Sequence, residues 1–333
     1  MAFRSNNSNL VVLSRLRAAA TAASPIPGPP ESVFTETFGV LLPAATYVST
    51  GKGKFAYYDL KASSPSADAH RVLMIHGIQT PALGLLPLAQ RLRASFPQSH
   101  FILLDLWGHG LSDTPRVPHT PDLFLEQVDA LLDHLSWSSA HLVGYSLGST
   151  IVAGYTATRA ARVESLVLVA PAGLFSLDDF PPEQQALLRG DEGVDGAASL
   201  DFIVSFLEGG ELVVPHDAEE RIARGEVVAE AMRSWQMRFH DGHAASVMAI
   251  VHEGALVDRE EMFRKASSTG KPRMAVLGEL DDLSSREKVM RVGVENVVVI
   301  PGARHDVVRQ QADEVGHVIG VFWRNKGQQS GQC

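Results

Sequence analysis

The run His141-Leu142-Val143-Gly144-Tyr145-Ser146-Leu147-Gly148 decides how the rest of the chain is read. An apolar stretch, His141–Val143, leads into Gly-x-Ser-x-Gly. The small-residue helical pattern Ser149–Ala160 follows. A serine hydroxyl is a weak nucleophile and must be lifted clear of a sheet to meet a base and a substrate. A sharp strand-to-helix turn does this in strained backbone geometry, and glycines two before and two after let neighbouring segments come close. The helix start behind the serine offers unpaired N–H groups and a positive dipole end, both suited to an oxyanion. Alone, the pattern also fits an ordinary turn. The strand before it and the helix after it point to a nucleophile at Ser146.

Working outward, Ala45–Thr50 and Phe55–Leu60 flank Gly51-Lys52-Gly53 and read as a β-hairpin. Short unbroken apolar runs follow at Val72–Ile75, Phe101–Leu104, Leu166–Val169, Met274–Leu277 and Val297–Ile300. Unbroken rather than alternating hydrophobicity marks strands buried on both faces, as in a parallel sheet. Helical spacing lies between them at Leu85–Ala94, Pro121–Leu135 and Glu314–Trp323. The alternation predicts an α/β fold with right-handed crossovers.

From about Phe175 to Thr269 no strand pattern appears, but helical patterns do, at Ala197–Leu207, Glu219–Phe239 and Ala244–Val251. This is far longer than a connecting loop and reads as a helical insertion standing over the sheet. The expected division is a core of residues 31–172 and 270–325 with an insertion at 173–269. Residues 1–30 are basic, rich in Ser and Ala, free of acids and closed by four prolines, which fits a disordered tail or a mitochondrial transit peptide. Lys326–Cys333 reads as a frayed end.

The 333 residues are 45% hydrophobic and 20% charged, with a mean hydropathy of +0.03, an ordinary globular balance. No apolar run approaches the roughly 18 residues of a spanning helix, so no integral membrane segment is expected. The net charge of -9 argues against nucleic acid as a partner. The single cysteine, Cys333, supports neither a disulfide nor a cysteine-based metal site. An intracellular protein is expected, cytoplasmic or, from its N-terminus, mitochondrial.

The sequence resembles the α/β-hydrolase superfamily, and the likeness runs over about residues 45–323. It rests on five landmarks in the family's order, each just beyond an apolar run. They are His76-Gly77-Ile78, the segment Asp105-Leu106-Trp107-Gly108-His109-Gly110-Leu111-Ser112-Asp113, the Ser146 turn, Gly278-Glu279-Leu280-Asp281, and Pro301-Gly302-Ala303-Arg304-His305. The resemblance implies a mostly parallel eight-stranded sheet with helices on both faces and an inserted helical cap. It implies Ser146 as nucleophile, His305 as general base and acid, and an aspartate orienting His305. Asp281 stands where the family places that acid. Adjacent Asp282 is the alternative. The oxyanion hole implied is the backbone N–H of Leu147 with that of Ile78.

Among the 13 histidines, His76 and His109 read as supports for loops around the site. His240 and His243 have metal-like spacing, but with only Asp241 beside them no metal is expected. Trp235, Met237, Phe239 and Met248 read as cap core or as an apolar wall above Ser146. No cofactor is expected. There is no phosphate loop, and Gly108-x-Gly110 lacks the third glycine of a dinucleotide turn.

The expectation is a serine hydrolase acting through an acyl-enzyme on a carboxylic ester, lactone or thioester of a small to medium, partly hydrophobic molecule. The net acidity disfavours polyanionic substrates unless a local basic patch overturns it. C–C bond hydrolysis or another chemistry on the same triad is the alternative, and a non-catalytic ligand-binding member of the fold is the second. Oligomeric state stays open.

Overall fold

The computed structural model describes Leu13, residues 24–63 and residues 69–329, with 326–329 by backbone alone. Eight strands form one sheet: β1 (Thr46–Thr50), β2 (Gly53–Leu60), β3 (Arg71–Ile75), β4 (His100–Leu104), β5 (Ala140–Tyr145), β6 (Val163–Val169), β7 (Arg273–Gly278) and β8 (Val297–Ile300). Their order is β1-β2-β4-β3-β5-β6-β7-β8. The hairpin β1–β2 and the pair β2–β4 are antiparallel, and every other pair is parallel.

The unbroken apolar runs do what their composition requires. Alternate residues feed opposite faces: Leu73, Ile75, Ile102, Leu104 and Leu142 enter one core, while Val72, Met74, Phe101, Leu103 and Val143 enter the other. Helices α1 (Glu31–Phe38), α2 (Leu86–Ser95), α3 (Pro121–His134) and α4 (Leu147–Thr158) precede the insertion. Within it lie α5 (Pro182–Arg189), α6 (Gly196–Glu208), α7 (Ala218–Ala223), α8 (Ala229–Phe239), α9 (His243–His252) and α10 (Glu260–Ser268). Then come α11 (Arg286–Arg291), α12 (Val307–Gln310) and α13 (Ala312–Gln329). Helices α2 and α13 pack together on one side, and α3, α4 and α10 on the other.

Four details depart from the expected boundaries. The pattern Glu219–Phe239 is two helices, because Gly225 takes φ +82° after α7 and turns the chain. Residues 260–268 were expected within the insertion, but α10 packs against α4 of the core, where Met262 faces Gly154. Residues 24–30 were expected outside the fold, yet Ile26 exchanges backbone hydrogen bonds with Thr114 at 2.8 and 2.9 Å, and the Asp113 carboxylate accepts from the N–H of Gly28 at 3.0 Å. The segment before residue 24 lies, apart from Leu13, outside the described residues, as do 330–333. Residues 326–329, expected to fray, continue α13.

Candidate functional site

The loops that leave β3, β4, β5, β7 and β8 are the five landmark segments, so the topology gathers them at one end of the sheet. The turn between β5 and α4 holds Ser146 at φ +53°, ψ −117°, a conformation that costs a non-glycine residue about 1–3 kcal/mol. Neighbouring segments hold it there. The Ser146 N–H donates to the Val169 carbonyl at 3.0 Å, and its own carbonyl accepts from the Ser149 N–H at 2.9 Å. Gly144 and Gly148 are required by packing: a Cβ on the first would lie 2.3 Å from the Gly148 carbonyl oxygen, and one on the second 2.1 Å from that of Ile75.

The Ser146 Oγ donates to Nε2 of His305 at 3.0 Å, and His305 Nδ1 donates to Oδ2 of Asp281 at 3.0 Å. An ionised carboxylate only accepts, which fixes the proton on Nδ1 and leaves Nε2 as the acceptor. Asp281 also accepts from the Leu283 N–H at 3.0 Å and the Ser284 hydroxyl at 3.1 Å. Burial pushes its carboxyl up. The hydrogen bond and charge of His305, with these two donors, outweigh burial and hold it below its ordinary value. Asp282, the alternative, is exposed.

Ile78 is half-buried and Leu147 buried. Neither backbone N–H has an acceptor among the described residues. Gly77 brings the Ile78 segment against the serine, since a Cβ there would come within 2.9 Å of the Ser146 Cβ.

The supporting shell is built from neutral histidines and buried amides. His76 donates from Nδ1 to the Gly77 carbonyl at 2.7 Å and accepts at Nε2 from the Leu106 N–H at 3.0 Å. His109 donates to the Trp107 carbonyl at 3.0 Å and accepts from the Gln79 N–H at 3.3 Å. Both therefore brace the loops, as expected. Burial pushes His76 down to about 4 and His109 well below its ordinary value. Asp105 accepts from the N–H groups of Ala82 (2.8 Å) and Leu111 (3.0 Å) and from the Tyr58 hydroxyl (3.1 Å). Burial nonetheless raises its carboxyl to about 6.

His240 and His243 anchor the insertion. His240 donates from Nε2 to the Ser112 carbonyl, and His243 from Nδ1 to the Gly108 carbonyl, each at 2.8 Å. Trp235 is core. It meets Phe34 and Phe38 of α1 at ring distances of 5.2 and 5.9 Å, with Phe34 edge-on. Met248 is likewise buried, Met237 is half-buried, and Phe239 is exposed.

Sequence reading missed three participants. Gln236 of α8 is fully buried, donates from Nε2 to the Gln79 carbonyl at 2.6 Å and accepts from the Gly110 N–H at 2.7 Å. Its position on the stripe Met232, Trp235, Gln236 was the available signal, a polar residue on an apolar helix face. Tyr145 places its ring 5.3 Å from that of His305. Beyond it, the Arg309 guanidinium lies 5.4 Å from the Tyr145 ring centre. Neither of these two carried a sequence signal.

Similarity to known proteins agrees with this architecture. A family model described as alpha/beta hydrolase fold matches residues 70–206. The chain is 28% identical over 248 residues to the 2-(acetamidomethylene)succinate hydrolase of Mesorhizobium japonicum, covering 71% of this chain and 81% of that one. It is also 28% identical over 231 residues to the dihydrolipoyllysine-residue acetyltransferase component of the acetoin cleaving system of Pseudomonas putida. That match covers 67% of this chain but 56% of the relative, so the chain spans less than two thirds of its length. The crystal structure of the enol-lactonase from Burkholderia xenovorans LB400 superposes with a TM-score of 0.60 at 17% identity, covering 84% of this chain and all of that one. Among the described residues no helix is long and apolar enough to cross a membrane.

Proposed function

The chain belongs to the α/β-hydrolase superfamily, and from that premise we propose that it is a serine hydrolase cleaving a carboxylic ester, lactone or thioester through an acyl-enzyme. The observation that carries this reading is the unbroken relay from Ser146 Oγ through His305 to Asp281, with both bonds at 3.0 Å.

The steps follow from the donors and acceptors. Ser146 Oγ attacks the substrate carbonyl carbon while His305 Nε2 takes its proton. Asp281, ionised throughout the neutral range, stabilises the imidazolium and keeps the ring oriented. The oxygen of the tetrahedral intermediate accepts from the N–H groups of Ile78 and Leu147. As the carbonyl re-forms, the bond to the leaving group breaks, and the imidazolium returns its proton to that group. Water then gives a proton to His305 and attacks the acyl carbon. The acid leaves, and the proton returns to Ser146.

The test is turnover of short-chain esters and lactones by wild type, Ser146→Ala and His305→Ala. The reading expects each single variant to lose nearly all activity and the double variant to be little worse, because the groups act as a unit. Full activity in Ser146→Ala contradicts it.

A further inference from the structure

Arg309 follows the base His305 by one turn, in α12, and is 91% buried. Its guanidinium stacks over the Tyr145 ring, whose other neighbour is the His305 ring, and Nη2 reaches the Tyr145 hydroxyl only at 3.5 Å. Nε and Nη1 are buried and have no hydrogen-bond partner among the described residues. A guanidinium cannot shed its charge, so burial without an acceptor is costly unless an anion comes to it.

Glu208 at the end of α6 is paired with Arg233 of α8 and also feels the charges of Glu230 and Arg309 where core and cap meet. Neither of these carboxylates is hydrogen-bonded to Arg309 among the described residues. Helix α12 packs there on the 3₁₀ turn Ala82–Leu85. The Thr80 hydroxyl, also buried without a partner, lies against Gly84 of that turn. A chain of net charge -9 repels anions at long range, so a cation held at this depth works by contact.

We propose that Arg309 is a specificity residue that receives a carboxylate on the acyl part of the substrate, so that the preferred substrates are mono-esters, or related acyl derivatives, of short dicarboxylic acids. Its fork suits a bidentate carboxylate, with the Tyr145 hydroxyl beside it and Tyr145 spacing it one ring away from the base. The inference rests on the serine hydrolase reading and assigns its substrate class.

The experiment compares monoethyl succinate with its uncharged isostere ethyl 4-methylpentanoate, on wild type, Arg309→Leu and Arg309→Lys. Wild type is expected to favour the charged ester in kcat/KM. Arg309→Leu should lower that ratio by about tenfold or more, chiefly through KM, and Arg309→Lys should keep part of it. No charge preference in wild type, or a ratio unmoved by Arg309→Leu, overturns the proposal. If Arg309→Leu does not fold, the same ratio read on Arg309→Lys decides, with an unchanged value overturning it. Turnover of neither ester by wild type counts against the hydrolase reading instead. Calorimetry with succinate then isolates the anion site: binding to Ser146→Ala that weakens on adding Arg309→Lys supports the proposal, and absence of binding, or binding unchanged by that substitution, overturns it.

Discussion

Gln236 of the cap and Gln79 of the loop beside the nucleophile are joined by a 2.6 Å hydrogen bond, and the same Gln236 side chain accepts from Gly110 at 2.7 Å. One amide thus ties α8 to two landmark loops at once. Gln79 sits at φ +65°, so the bond fixes a strained residue adjacent to Ile78, whose N–H is the proposed oxyanion donor.

Replacing Gln236 with Leu leaves a buried carbonyl and a buried N–H unpaired. Each costs about 1–3 kcal/mol. Urea denaturation should show a loss of about 2–6 kcal/mol, and the folded fraction should turn over more slowly because the Ile78 N–H is less well held. A midpoint equal to wild type would show that the cap does not depend on this contact.

Asp281→Asn should keep the fold but lower kcat by about a factor of 10³–10⁴, since an amide can donate to His305 and select the wrong tautomer. Asp282→Asn, on an exposed side chain, should stay within about twofold of wild type. Steady-state kinetics on one ester decides between them. A severe loss in Asp282→Asn with little in Asp281→Asn would reverse the assignment.

Gly148→Ala should fail to fold properly. Its Cβ would sit 2.1 Å from the Ile75 carbonyl oxygen, on backbone that cannot yield without moving β3 from under the nucleophile. Soluble yield and thermal midpoint measure this, and a variant with an unchanged midpoint would contradict the close approach.

Stability should fall on acidification between about pH 6.5 and 4. Burial holds His76 and His119 at about 4 and His243 at about 3, against an ordinary value of 6.5. Below 6.5 the unfolded chain takes up protons that these folded histidines refuse, so their contribution is present above 6.5 and lost as pH falls toward 4. Asp105 works in the opposite direction, because its carboxyl is raised from 3.8 to about 6 and protonates in the folded state first. His109, held well below its ordinary value, adds a fourth such histidine, so one carboxyl offsets one of four and stability falls on acidification. Urea midpoints at pH 5 and 7.5 read this directly. Equal midpoints would mean that the histidines are not buried neutral.

The layout of the fold was legible because β3, β4, β5 and β6 are apolar runs buried on both faces, too short for buried helices and bounded by turn residues. The candidate site was legible because the landmark residues follow those runs directly. What escaped was tertiary. Motif spacing favours Asp281 over adjacent Asp282, but which of the two turns toward His305 is visible only in the folded chain. Arg309 looks like any surface arginine until α12 is seen to bury it against Tyr145. Gly225 splits α7 from α8 by its backbone angle, which the apolar spacing on either side does not reveal. The packing of α10 on α4 is set by which helix faces meet, and the apolar residues of α10 would serve either partner.

The most direct measurement of the central claim is intact-mass labelling with a fluorophosphonate, on wild type and Ser146→Ala together. The account predicts rapid addition of one label to wild type and none to the variant, because only a serine relieved of its proton by His305 attacks phosphorus at such a rate. A well-folded wild type that stays unlabelled, or equal labelling of Ser146→Ala, would contradict an activated nucleophile at position 146.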